Sequence, residues 1–385
     1  MTPTPSNKPF FRADIVGSFL RPDRLKQARE QAGLELASTA DKPGDGAITA
    51  DQLKQTEDDC IRELVAFEEE VGLKAVTDGE FRRGSWAYDF IGRVEGIELR
   101  RQDGSYDASF SSTGFKPPIA HAVSKVGRRQ GGMMLEEYKF TSSLTDLPVK
   151  TTMPSPTLMY VRGGRAAVDQ TVYPDIEEYF EDLTGIYRDE IADLSAAGST
   201  YVQIDNTDAA LLCDPKFQQA SRDKGFDPKE QIRLQGKLIS MATRGRPDNM
   251  TVSMHLCRGN SAGAWLAEGG YDFVAESLFN DFDVDAYFLE YDTERAGSFA
   301  PLRHAKPDSF IVLGLVTTKT PENDSKDMLK RRIEEAARYV PLANLALSPQ
   351  CGFASVAKGN PISFDDQRRK LALILEVADE VWGGR

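Results

Sequence analysis

The chain holds only three histidines and four cysteines among its 385 residues. The cysteines, at positions 60, 213, 257 and 351, are too few and too scattered for a disulfide framework. That pattern fits a reducing compartment, so a cytoplasmic protein is expected, with thiols free for metal binding or catalysis. No apolar run is long enough to span a bilayer, and the opening Met1-Thr2-Pro3-Thr4-Pro5 is polar and Pro-rich rather than signal-like. Basic charge is scarce as well: 47 Lys and Arg face 60 Asp and Glu, for a net charge of −13. Nucleic acids and anionic membranes both reward Lys and Arg, so neither is an expected partner. The expected partners are small molecules, and a homo-oligomer is compatible with this composition. No Gly-x-Gly-x-x-Gly follows an early strand, which removes the main signal for a dinucleotide-binding open sheet.

What the chain does have is alternation. Apolar, β-branched segments at 13–16, 75–77, 149–153, 201–204, 251–256, 286–289, 311–315 and 345–348 read as strands. Amphipathic stretches at 52–71, 176–196, 228–242, 274–279, 326–340 and 364–381 read as helices between them. Eight β/α alternations at this length predict an α/β fold, a TIM (β/α)8 barrel spanning residues 1–385 as one domain. Residues 93–148 break the rhythm with Pro117-Pro118, the basic Arg128-Arg129 and Gly131-Gly132. They read as an insertion between the second and third strands, partly β-hairpin, serving as lid, subunit contact or solvated decoration.

In such a barrel, chemistry gathers where strands end. The fifth strand ends in His255-Leu256-Cys257, placing an imidazole and a thiol two residues apart. Side chains at i and i+2 of a strand share a face and can converge on one ion. Glu290 follows the sixth strand and Cys351 the eighth. Together they offer one nitrogen, two sulfurs and one oxygen, a donor set suited to tetrahedral Zn²⁺. Anionic sulfur ligands make such a centre better at holding a nucleophilic thiolate than at polarising a carbonyl. Glu290 is the ligand that an arriving thiol would displace.

These residues carry a resemblance. Val16-Gly17-Ser18-Phe19, Asp78-Gly79-Glu80, Gln203-Ile204-Asp205, His255-x-Cys257, Glu290 and Cys351-Gly352 stand in the order found in cobalamin-independent methionine synthases. The chain resembles their catalytic half and the short single-barrel, methionine synthase II-like members. The resemblance implies zinc on His255, Cys257, Glu290 and Cys351, with homocysteine beside it. It also implies Ser18 near the substrate carboxylate, and Glu80 and Asp205 near its ammonium, where charge-assisted hydrogen bonds would form. The expected activity is zinc-dependent methylation of homocysteine to methionine, the donor being a methylfolate or a methylated corrinoid.

Two departures bear on the donor. Double-barrel members carry His-Ser-Pro after the seventh strand, where this chain reads Thr317-Thr318-Lys319; they carry an acid and Pro after the strand-four Asp, where it has Asn206-Thr207. A methyl group on nitrogen is a poor electrophile until that nitrogen is protonated, so a missing acid matters. Trp86, Tyr88 and Phe353 are candidates for an apolar wall against the donor. Two alternatives stand beside this reading. One is zinc-dependent alkyl transfer to another thiol, such as epoxide opening by coenzyme M, for which Arg82 and Arg83 would meet the sulfonate. The other is a non-catalytic zinc- or thiol-binding protein.

Overall fold

In chain order the strands are β1 (Glu95–Arg100), β2 (Ile119–Gly127), β3 (Lys150–Pro154), β4 (Tyr201–Asp205), β5 (Thr251–Leu256), β6 (Ala286–Glu290), β7 (Phe310–Val316) and β8 (Leu345–Pro349). The computed structural model describes residues 8, 10–34, 47–101, 117–223 and 225–384. Strands β3 to β8 form one parallel sheet in sequential order. Their side chains are buried on both faces, as the apolar runs require of a sheet covered by helices.

The ring closes through two segments that are strands in position but not in ladder. Ala13 bridges Leu347 of β8, and Val76 bridges Val149 just before β3, both in parallel sense. The first two expected strands are thus reduced to single bridges. Side chains inside the barrel replace the missing ladder: Lys150 Nζ donates to the Ile15 carbonyl, Gln203 Nε2 to Val16 at 2.6 Å, and Thr77 Oγ1 to Gly17 at 2.7 Å. Buried carbonyls need partners, and these are met without a continuous strand. The result is a TIM (β/α)8 barrel.

Helices lie outside it. Ala50–Val71 starts at a capping box, with Thr49 Oγ1 accepting from Gln52 N–H and Gln52 Oε1 from Thr49 N–H, and stops at Gly72 with φ +93°. Ile176–Ala196, Pro228–Thr243, Lys326–Ala336 and Phe364–Trp382 each begin behind an Asp or Ser whose side chain accepts a first-turn N–H. Inside the ring a small layer of Val16, Phe288, Val312 and Ala346 fills the axis, with Phe10 packed against it. Between the Val76 segment and β3, β1 and β2 pair antiparallel and the helix Leu135–Ser142 follows. The Glu190 carboxylate fastens this region to the barrel by accepting the Met133 and Met134 N–H groups at 2.8 and 2.7 Å. Arg128 pairs with Glu190 and Asp193.

Candidate metal centre and barrel-mouth pocket

The parallel register sets Asp205 of β4 directly beside His255 of β5. His255 and Cys257 point into the mouth from β5 and the residue after it, and Cys351 arrives from the turn after β8. One donor atom from each of these three side chains lies within 4.8 Å of the others, and all three residues are buried. The two sulfurs are 3.8 Å apart. An ion bound tetrahedrally by two thiolates at ~2.3 Å would hold them at about that separation. Neither His255 Nδ1 nor Nε2 has a hydrogen-bond partner among the described residues, although both are buried. A buried imidazole with two idle nitrogens is expensive unless something binds it. The site therefore fits a borderline-soft cation, and His255, Cys257 and Cys351 are the residues that would hold it. Contact with Cys257, then His255 and Ser355, pulls the Cys351 thiol well below its usual range against the effect of burial. The other two cysteines, Cys60 and Cys213, are buried and lie outside this group.

Glu290 does not join the three. Its Oε2 accepts the Arg258 N–H at 2.6 Å, while Oε1 is held by Lys319 Nζ at 3.2 Å and by Arg295. Burial would raise its pKa, but Lys319, Arg295 and Arg258 hold it down at about 2.

Below the cluster lies a pair of carboxylates, Glu80 and Asp205, only 3% and 5% exposed. Glu80 has φ +59°, a left-handed conformation uncommon for a residue with a Cβ, stabilised where Asp78 Oδ1 accepts the Glu80 N–H at 2.8 Å. Its Oε1 accepts from Thr152 Oγ1 at 3.1 Å; its Oε2 is buried without a partner among the described residues. Burial raises the Glu80 pKa despite Arg83 and Arg21. Asp205 accepts from Gln203 Nε2 at 2.8 Å, and burial pushes its pKa up to about 7 with help from the Glu80 charge. Two buried carboxylates that raise each other's cost of ionisation favour a nearby positive charge.

Two glycines shape this corner. A Cβ on Gly352 would stand 2.0 Å from Ser18 Oγ, so only glycine after Cys351 lets the first segment close on β8. Gly17, at φ +149°, would drive a Cβ to 2.7 Å from Thr152 Cγ2. Ser18 is thereby set on the pocket wall with Glu80, Asp205, His255, Cys257 and Cys351.

Trp86 and Tyr88 line the same cavity. Phe353 does not, and the expectation that it joins the apolar wall is corrected: its ring packs on Phe19, centroids 5.7 Å apart. The Arg pair also divides. Arg82 turns outward to Glu57, at 3.1 Å, and Asp58. Arg83 faces inward onto the Thr152 side chain and carbonyl at 3.0 and 2.9 Å. Sequence reasoning missed Arg162, whose guanidinium binds Asp208 at 3.0 Å and Tyr88 Oη at 2.8 Å at the pocket edge. It also missed the grip of Lys319 and Arg295 on Glu290. A lone Arg in a turn gives no local signal of either.

A (β/α)8 barrel with one His and two Cys converging at its C-terminal mouth, beside two buried carboxylates, defines a class of barrel proteins with a candidate soft-metal site. The chain belongs to the family described as cobalamin-independent synthase, catalytic domain, whose model matches residues 15–378. It is 40% and 39% identical to the uncharacterised Bacillus subtilis proteins YxjG and YxjH, over 97% of this chain and 96% and 95% of theirs. A Listeria monocytogenes structure, described as a candidate vitamin-B12-independent methionine synthase, superposes with TM-score 0.75 at 35% identity, covering 97% of this chain and 98% of that one. Against the 5-methyltetrahydropteroyltriglutamate–homocysteine methyltransferase of Thermotoga petrophila identity falls to 23%, over 89% of this chain but 41% of that enzyme. Membership of this methyltransferase family supports an enzyme. Among the described residues, no helix is long and apolar enough to cross a membrane.

Proposed function

We propose that the chain is a zinc-dependent methyltransferase that alkylates the thiol of homocysteine to give methionine. The observation that carries this reading is the Cys257–Cys351 sulfur separation of 3.8 Å beside an unpartnered His255. When bound, zinc would lower the pKa of an added thiol while its thiolate neighbours keep that sulfur nucleophilic. The chain's own residues then do the positioning. Glu80 and Asp205 take the ammonium, and Ser18 stands where the carboxylate of the same amino acid would lie. Trp86 and Tyr88 wall the donor side. In the transfer the sulfur–carbon bond forms as the bond from the methyl carbon to its carrier breaks, both electrons staying on the carrier, and alignment of the two supplies much of the rate. The carrier is a methylfolate or a methylated corrinoid. The Thermotoga petrophila relative, named for transfer from a methylated folate to homocysteine, supports the amino-acid thiol as acceptor.

Coenzyme M as acceptor is less well supported, because a sulfonate needs free cations. Arg82 is turned away to Glu57 and Asp58, and Arg83 is committed to Thr152. The test is a thiol panel on Co²⁺-loaded protein, with homocysteine, coenzyme M and glutathione each added while thiolate-to-metal charge-transfer absorption is followed. Homocysteine alone is expected to add a sulfur ligand. Absence of new sulfur ligation with every thiol would sink the proposal.

A further inference from the structure

A neutral amine nitrogen releases a methyl group only as it takes up a proton, so a carrier of that kind needs an acid in the pocket. Most titratable groups on the wall are already committed. Glu80 and Asp205 are assigned to the substrate ammonium, and His255, Cys257 and Cys351 form the candidate metal site. A guanidinium such as that of Arg162 does not give up a proton, and Ser and Thr hydroxyls are far weaker acids than a phenol. Tyr88 is the strongest acid left. It is 5% exposed and lines the same pocket, and its Oη accepts from Arg162 Nη1 at 2.8 Å. That bond uses the oxygen as an acceptor, and no group among the described residues receives the hydroxyl proton. Burial raises the Tyr88 pKa and so keeps the proton in place at neutral pH, while the charge and hydrogen bond of Arg162 work the other way and favour the phenolate.

The placement is held from two sides. Ser85 bridges Val356 and the Trp86 N–H donates to the Ser355 carbonyl at 3.2 Å, which ties the Tyr88 segment to the turn that carries Cys351. Arg162 is itself fixed by Asp208, to whose Oδ1 its Nη2 and Nε donate at 3.0 and 3.1 Å. A second cavity of about 440 Å³ adjoins the mouth pocket, the two sharing Arg162 and Leu211 on their walls, so the body of a carrier has room on the Arg162 side.

We propose that Tyr88 is the general acid of the methyl transfer and that the carrier releases its methyl group from nitrogen. Arg162 and Asp208 are positioning residues that aim the hydroxyl and stabilise the phenolate left behind. As the homocysteine sulfur bonds to the methyl carbon, the carbon–nitrogen bond breaks, its electron pair stays on nitrogen, and that nitrogen takes the Tyr88 proton. The phenolate is reprotonated from solvent, which balances the proton that the substrate thiol gave up. The inference rests on the thiol-methylation reading above and narrows its donor.

The test compares two donors on the zinc-loaded full chain with homocysteine: 5-methyltetrahydrofolate, whose nitrogen needs a proton, and methylcobalamin, whose cobalt leaves with the electron pair and needs none. Tyr88→Phe is expected to lower kcat with the folate about a hundredfold and to leave the corrinoid reaction within about twofold of the parent. Arg162→Met should lose roughly tenfold, again with the folate alone, and carries the same comparison should Tyr88→Phe fail to fold. Calorimetry on metal-free protein gives a readout apart from turnover: tetrahydrofolate, the demethylated carrier, should bind Tyr88→Phe about fivefold more weakly through loss of one hydrogen bond. Equal losses with both donors, as from disturbed packing, would overturn the inference, and so would a parent that takes methyl from the corrinoid alone. That second result leaves the homocysteine reading intact, whereas a parent that methylates homocysteine from neither donor sinks both.

Discussion

The barrel buries a polar group at each end, the Asp14 triad at the floor and the residues around His255 at the mouth, and the two groups are satisfied differently. At the floor, Lys150 Nζ donates to Asp14 Oδ1 at 2.7 Å, Tyr201 Oη donates to Asp14 Oδ2 at 2.6 Å, and the Ile15 N–H donates to Asp14 Oδ1 at 2.7 Å. Every polar atom of that triad has its partner, and the Phe10–Phe310 stack, centroids 3.6 Å apart, packs nearby. At the mouth, Glu80 Oε2, Gln203 Oε1, Asn206 Nδ2 and both nitrogens of His255 have none among the described residues. The Asp14 triad and the mouth group are both buried, but only the triad is fully satisfied. Paired polarity holds the fold together, whereas unpaired polarity marks where a ligand is to supply the missing bonds.

The largest test of this contrast is at the mouth. Cys351→Ser removes one of two soft ligands from an otherwise intact pocket, and zinc affinity, measured by chelator competition, is expected to fall roughly a thousandfold. Thermal stability of the metal-free protein should barely change. At the floor the pattern reverses. Lys150→Met leaves Asp14 buried with a charge and without its ammonium, and the urea unfolding free energy is expected to drop by about 3 kcal/mol. Zinc stoichiometry should stay that of the parent. A Lys150→Met protein that lost metal yet kept its stability would erase the distinction between the two ends.

How much of this was legible in the chain depends on how local each signal is. The pair His255 and Cys257 could be read because a strand has period two and the parallel register keeps both side chains on one face. Cys351 could be read because a rare thiol stood at the end of a regular apolar run. Six strands fall within a residue or so of expectation for the same reason. The segments 13–16 and 75–77 read as strands but lack ladders, since Lys150, Gln203 and Thr77 satisfy the carbonyls from across the barrel. No sequence window contains that information. The engagement of Glu290 was equally hidden: Arg295 comes from the turn after β6 and Lys319 from the loop after β7, and only the closed ring brings them to one oxygen. Adjacent residues misled in one place. Arg82 and Arg83 look like one basic site, yet successive side chains here point to opposite sides of the barrel wall.

The smallest effect, and the one that probes unpaired polarity most directly, lies in Asp205. Burial lifts its folded pKa to about 7, above the usual carboxylate value near 3.9 that the unfolded chain would show. Between those values the native state keeps a proton that the unfolded state has released, so stability falls as pH rises and levels off above about 7. Asp205→Asn removes that titration. In metal-free protein, the difference in unfolding free energy between the variant and the parent should therefore grow in the variant's favour from about pH 5 to 7, by up to about 1.4 kcal/mol per pH unit, and then stay flat. Urea melts at unit pH intervals measure it. A difference independent of pH would mean that Asp205 holds no extra proton in the folded state and would overturn this expectation. Homocysteine adds the complementary readout: its ammonium should draw the proton off Asp205, so binding to the parent should strengthen on going from pH 6 to pH 7, and Asp205→Asn should lose most of that increment.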